Sequence, residues 1–214
     1  MKIKKHIINM KKHIITLLAL ALCIICNAQS AKDILDGVMK TMKSYSDISA
    51  EFDYTMLNED AGINETMSGK AWSKGEAYKV QLDGQEMICD GTTIWTYISE
   101  SDEVMISDAD GNSSNPLTLL EEYYDNVDVR LLKNSDFTKI SLEMTPREDD
   151  DKFTKMRLDI DTKTMQPQCL TITDGNDTDF ICKIKKLEVN KQLDDNFFTF
   201  DAKQHPGVEI IDMR

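Results

Sequence analysis

This sequence has little histidine, fewer basic than acidic residues and no long apolar run. Three histidines occur in 214 residues, and two of them, His6 and His13, fall within the first 28. Five cysteines are scattered through the chain. So thin a supply of imidazole and thiol, without ligand spacing, predicts no metal site. His205 precedes Pro206-Gly207 and has no recognisable Ser, Cys or Asp arrangement beside it in sequence. It reads as a surface histidine rather than a general base. The patterns G-x-S-x-G, G-x-x-x-x-G-K-[ST] and H-E-x-x-H are absent. No catalytic residue and no cofactor is expected, and the chain reads as a non-enzyme.

Lys and Arg number 25 against 38 Asp and Glu, a net charge of −13. Phosphate binding needs clustered basic residues, so this balance excludes a nucleic-acid partner. It equally excludes docking on an anionic membrane through a basic patch. The apolar run at 14–25 is twelve residues, short for a membrane span and suited to the core of a signal peptide. Lys2, Lys4, Lys5, Lys11 and Lys12 precede it, and Cys26-Asn27-Ala28 offers a cleavage site after Ala28. Residues 1–28 are therefore expected to be removed, leaving a single domain over 29–214. That step takes away five lysines and no acid, so the exported form has 186 residues and a charge of −18. Leu22 before Cys23 and Ile25 before Cys26 are poor lipidation contexts, so a soluble, unanchored protein is expected.

What is present is a β pattern introduced by a helix. Ser30 and Asp33 form an S-x-x-D start signal. Ile34, Leu35, Val38, Met39, Met42 and Tyr45 then follow at helical spacing. Period-two alternation begins at Ile48, Ala50, Phe52, Tyr54 and Met56. Five more strands, at 63–73, 77–83, 85–89, 92–98 and 103–107, follow without a helix between them, which implies an antiparallel meander. Asn115-Pro116 starts a second apolar helix through Leu117, Leu120 and Tyr124. Strands resume at 127–132, 137–145 and 153–161, then a hairpin at 168–173 and 179–189, with 197–200 and 208–211 closing the chain. About eleven antiparallel strands must curl into a barrel or half-barrel, and the concave face is where the helices bury their stripes.

Two further features call for a reading. A hairpin centred between Gly175 and Asn176 would put Cys169 directly opposite Cys182, either bridged in an oxidising compartment or packed as free thiols. The Asp-rich stretches at 108–112 and 174–179 read as solvated turns rather than calcium loops, the first having its Gly at the wrong position. Met56, Met67, Met87, Met105, Met144 and Met156 all fall in predicted strands. Flexible, polarizable methionines on a curved sheet beside two apolar helices describe a container for an apolar ligand.

Cys89-Asp90-Gly91-Thr92-Thr93-Ile94-Trp95-Thr96-Tyr97 resembles the D-G-x-x-x-W-x-Y segment of the periplasmic outer-membrane lipoprotein carrier (LolA-type) family. Ser68-Gly69-Lys70-Ala71-Trp72 resembles the strand before it, and Asn115-Pro116-Leu117-Thr118-Leu119-Leu120 the family's internal helix. Phe198-Thr199-Phe200, followed by Pro206-Gly207-Val208-Glu209, resembles its closing segment. The resemblance runs over roughly residues 30–212. It implies a mainly β (α+β) fold: an incomplete, curved antiparallel β-barrel of about eleven strands with a helical lid over a hydrophobic cavity. It implies a monomeric periplasmic carrier that shields the acyl chains of lipoproteins. The cargo would pass from an inner-membrane lipoprotein-releasing transporter to an outer-membrane acceptor. By the same resemblance the acyl-chain cavity is formed by Val38, Met42, Tyr45, Phe52, Tyr54, Tyr78, Leu117 and Leu120. The family's lid-holding Arg is missing; at 72–78 Lys74 is the nearest basic group and the lid-latch candidate, without the planar fork of a guanidinium. The alternative role is an envelope sensor or scaffold of the same fold that binds lipid or lipoprotein without transferring it.

Overall fold

The structure, a computed structural model, describes residues 30–109, 123–148 and 152–214. The expected signal peptide and its cleavage site lie outside the described residues, as do Leu117, Leu120 and most of the segment expected as a second helix.

Helix α1 (Ala31–Lys43) begins where the sequence signals it. The Ser30 hydroxyl accepts the Asp33 N–H at 3.0 Å, and the Asp33 carboxylate accepts the Ser30 N–H at 3.0 Å. This capping box satisfies two amides that the helix itself cannot. One stripe of the helix, Ile34, Leu35 and Val38, is buried.

Twelve strands follow: β1 (Ile48–Asn58), β2 (Ile63–Lys74), β3 (Ala77–Leu82), β4 (Gln85–Cys89), β5 (Thr93–Ile98), β6 (Glu103–Asp108), β7 (Val127–Leu132), β8 (Lys139–Pro146), β9 (Lys155–Asp161), β10 (Pro167–Thr173), β11 (Asp179–Val189) and β12 (Glu209–Asp212). All belong to one sheet, ordered β12-β6-β5-β4-β3-β2-β1-β11-β10-β9-β8-β7, which curves without closing. Every neighbouring pair is antiparallel except the last: β12 lies parallel to β6, opposing Ile210 to Val104. The expected count of about eleven antiparallel strands is thus met, with a parallel twelfth added by the returning C-terminus. The Phe-rich stretch expected as a strand at 197–200 is instead a 3-10 turn, Asp195–Phe198. The Asp194 carboxylate caps it by accepting the Asn196 N–H at 2.9 Å.

The sheet is covered twice, on opposite faces and over opposite halves. On the inner face α1 packs over the β7–β10 half, where Leu142, Met144, Met156, Leu158 and Ile160 are buried with Phe153 and Tyr123. On the outer face the register places Ile88, Trp95, Tyr97, Val104 and Ile106 together on β4–β6. The chain after β11 crosses the outer face of the sheet. Phe197 meets Trp72 edge-on at 5.3 Å, and the Lys79 ammonium lies 5.1 Å from the Phe197 ring. His205 sits between Tyr97 at 4.3 Å and Phe200 at 5.0 Å, so it serves here as a packed ring. Asp47, 2% exposed, anchors the start of this crossing: its carboxylate accepts the N–H groups of Lys191 at 2.7 Å and Gln192 at 2.9 Å.

The β10–β11 hairpin corrects a register. Thr173 pairs with Asp179, so the loop holds five residues and its centre is Asn176 itself. The Asp174 carboxylate builds that loop by accepting the N–H groups of Asn176 at 2.8 Å and Thr178 at 2.9 Å. An odd loop shifts the pairing by one residue. Leu170 therefore opposes Cys182, and Cys169 opposes Lys183. Neighbouring residues point to opposite faces, so the two thiols lie on different sides of the sheet and both are free.

Candidate functional site

Strand register selects the wall of the site. The inner face of β1 carries Ile48, Ala50, Phe52 and Tyr54. Opposite them stand Leu187, Ile184 and Cys182 of β11, and next to those Leu170 and Ile172 of β10. Tyr78, Val80 and Leu82 continue the wall on β3. These residues, with Met42 from the last turns of α1, line a cavity of about 500 Å³. It occupies the part of the inner face that α1 leaves uncovered.

Two local devices shape this wall. The β1–β11 pairing slips between Glu51 and Phe52, leaving Lys185 as an extra residue on β11. Such a bulge bends the strand and increases its twist, here in the middle of the cavity wall. Lys185 turns to the outer face, where its ammonium meets Asp53 at 2.6 Å. Across β2, Phe52 lies over Gly69: a Cβ on Gly69 would stand 2.5 Å from the Phe52 ring. The missing side chain is what lets the far end of this aromatic come so close to β2.

The cavity is electrically quiet. Among the described residues, no charged side chain lines it. Burial pushes the Tyr78 phenol up to about 12 and the Cys182 thiol up to about 11, so both stay neutral at ordinary pH. Burial, and then Cys182 nearby, raises Tyr54 as well. The Tyr78 hydroxyl donates to the Met87 sulfur at 3.7 Å. A surface of this kind removes hydrocarbon from water.

The six strand methionines share the inner face. Met67 opposes Tyr54, Met56 opposes Phe180, Met87 opposes Val80, and Met105 lies two strands further along that row. Met144 and Met156 oppose each other beneath α1 and are buried. The other four are only half-buried.

Of the residues expected at the cavity, Met42, Phe52, Tyr54 and Tyr78 line it. Val38, on the same helix stripe, is fully buried in the core beneath α1 instead. Tyr45 stands outside the lining, its hydroxyl accepting from the Gln166 amide at 2.9 Å. Lys74 donates to the Leu193 carbonyl at 2.7 Å and to Asp195 at 2.6 Å. It fastens β2 to the C-terminal crossing. Leu170, Ile172, Phe180, Ile184 and Leu187 complete the wall and were not singled out from sequence. Their signal was period-two alternation on strands that only the sheet order brings beside β1.

Among the described residues, an unclosed, strongly curved sheet with an amphipathic helix and an uncharged inner cavity defines the half-barrel class of apolar-cavity proteins. Within that class the chain belongs to the outer membrane lipoprotein carrier protein LolA family, whose model matches residues 43–201. It is similar to the outer-membrane lipoprotein carrier protein of Halorhodospira halophila, with 24% identity over 94% of this chain and 96% of that one. In fold it is similar to an uncharacterized conserved protein from Thermus thermophilus. That match has a TM-score of 0.57 at 15% identity, over 86% of this chain and 99% of that one. A LolA superfamily protein from Nitrosomonas europaea aligns with a TM-score of 0.42 at 12% identity, over 81% and 99% of the two chains.

Proposed function

We propose that this protein is a periplasmic lipoprotein carrier: it takes acyl chains of a lipoprotein into the inner-face cavity and shields them from water. The observation that carries the reading is the absence of any charge from the described lining of an apolar cavity of about 500 Å³. Each buried methylene stabilises the bound state by ~0.8 kcal/mol, before the cost of association is subtracted. Noncovalent shielding needs no catalytic group, and the one histidine of the exported form is packed between two rings on the opposite face. Donation by an inner-membrane transporter and delivery to an outer-membrane acceptor complete the role, after signal-peptide removal at Ala28. The family membership and the carrier relative from Halorhodospira halophila support this reading.

The test is native mass spectrometry of protein recovered from the periplasm, which is expected to show acylated cargo. Met42→Glu and Ile184→Glu would each place a carboxylate in the lining and are expected to weaken acyl binding by about tenfold or more. Circular dichroism should remain that of the wild-type sheet. Undiminished binding in both variants would put the ligand elsewhere.

A further inference from the structure

Strand β7 ends the sheet, and among the described residues nothing pairs with its outer edge. Its hydrogen-bonding direction can be read from its start. The Arg147 N–H donates to the Asn126 carbonyl at 3.0 Å, one step before Val127 pairs with Pro146. Bonding alternates along an antiparallel strand. Asn126, Asp128 and Arg130 therefore address β8, while Val127, Val129 and Leu131 turn their N–H and C=O groups outward. An edge of this kind is a template for another strand.

The side chains along it are symmetric about Val129 in polarity and opposite in charge. Asp128 and Arg130 flank Val129 on the outer face, with Val127 and Leu131 beyond them on the inner face. Leu131 is 56% exposed although it belongs to the apolar row. We propose that β7 pairs antiparallel with β7 of a second copy, centred on Val129, giving a two-fold homodimer.

In this register Val129 faces the second copy's Val129, and Val127 faces its Leu131. The outward N–H and C=O groups of all three meet partners. Asp128 faces the second copy's Arg130, and Arg130 its Asp128, in the more closely spaced, non-hydrogen-bonded pairs, where side chains interact most. Within one chain these charges already lean on Arg147 and Glu143, at 2.9 and 2.5 Å, so the dimer would join four ions per half-interface. The two-fold axis stands perpendicular to the sheet. Both inner faces then lie on one side, with the two cavities opening the same way. A single strand pair is a small interface, so the dimer is weak and concentration-dependent. It departs from the monomer expected from sequence, and it does not depend on what the cavity binds.

Sedimentation velocity of the exported form over a wide concentration range is expected to show reversible dimerisation. Val129→Pro removes an outward N–H while leaving the β7–β8 ladder intact, and edge strands tolerate proline there. It is expected to weaken dimerisation by about tenfold or more. Arg130→Asp sets Asp against Asp and is expected to do the same, and Asp128→Arg with Arg130→Asp restores association. Amide exchange at Val127, Val129 and Leu131 should slow as protein concentration rises. A monomer at every concentration overturns the proposal, as does a dimer indifferent to both Val129→Pro and Arg130→Asp. So does protection of those three amides independent of concentration, or only on adding a different protein, because either gives the edge to another occupant.

Discussion

The contact between Phe52 and Gly69 shows how one residue sets the capacity of the site. A methyl group at position 69 would collide with the far end of the Phe52 ring and with the Gln81 carbonyl at 2.9 Å. A ring pushed away from Gly69 takes up room in the cavity that Phe52 lines. Gly69→Ala is therefore expected to cost about 1–3 kcal/mol in chemical denaturation, as overpacking does. It should also lower the amount of long-chain ligand bound, measured by titration with an acyl probe. Cys182 reports on the same wall. Its thiol stands high, at about 11, so little thiolate is available at neutral pH. Maleimide labelling of native protein is expected to be slow at Cys182, and slower still with acyl ligand bound. After denaturation three thiols should titrate whether or not reductant was present, since Cys169 and Cys182 occupy opposite faces.

Elements were largely legible in the sequence because their signals are local. The capping box at Ser30 and Asp33 begins α1, and β4, β7 and β11 have the bounds their alternation predicts. Two departures came from competing local chemistry. Four aromatic-rich residues at 197–200 look like a strand, but the Asp194 cap and the packing of Phe197 on Trp72 make a turn of them. The five-residue loop built by Asp174 moved the cysteine pairing by one position. The cavity was half legible. Met42, Phe52, Tyr54 and Tyr78 could be reached through one helix stripe and a family resemblance. The β10 and β11 residues could not, because sequence does not say that β1 lies between β2 and β11.

The joint between β11 and the C-terminal crossing carries its own prediction. Asn190 and Gln192 take positive φ, 58° and 61°, and are held there by Asp47 through the neighbouring amides. Burial pushes the Asp47 carboxyl up, but hydrogen bonds from Lys191, Ser46 and Gln192 outweigh it and hold the group below the ordinary 3.8. A carboxyl with a depressed native value contributes stability above its unfolded value and loses it as pH falls through the native one. Asp47→Ala should lower the melting temperature at neutral pH. The deficit relative to wild type should shrink as the medium is acidified below 3.8, followed by thermal melts across pH.

At the scale of the molecule, the sheet is a shared wall with its covers displaced from each other. α1 backs the β7–β10 half from inside, and the C-terminal crossing braces β2–β6 from outside. Strands β2 and β3 of the cavity wall are thus supported from behind while their inner face stays available. Ligand that binds only this folded arrangement should stabilise it by mass action. At a free acyl-ligand concentration a hundred times Kd, the melting temperature is expected to rise by about 5–10 °C in calorimetry. An unchanged melting temperature at saturation would separate binding from the folded cavity.

The uncovered inner face also has a colloidal consequence. When empty, it is a patch of half-buried methionines and aromatics of the kind that makes proteins stick to one another. A strongly acidic exterior works against that contact at long range, and the expected exported form carries −18. The surplus of acid that excluded nucleic acid at the outset thereby has a second effect: it opposes contact between the uncovered inner faces of two copies.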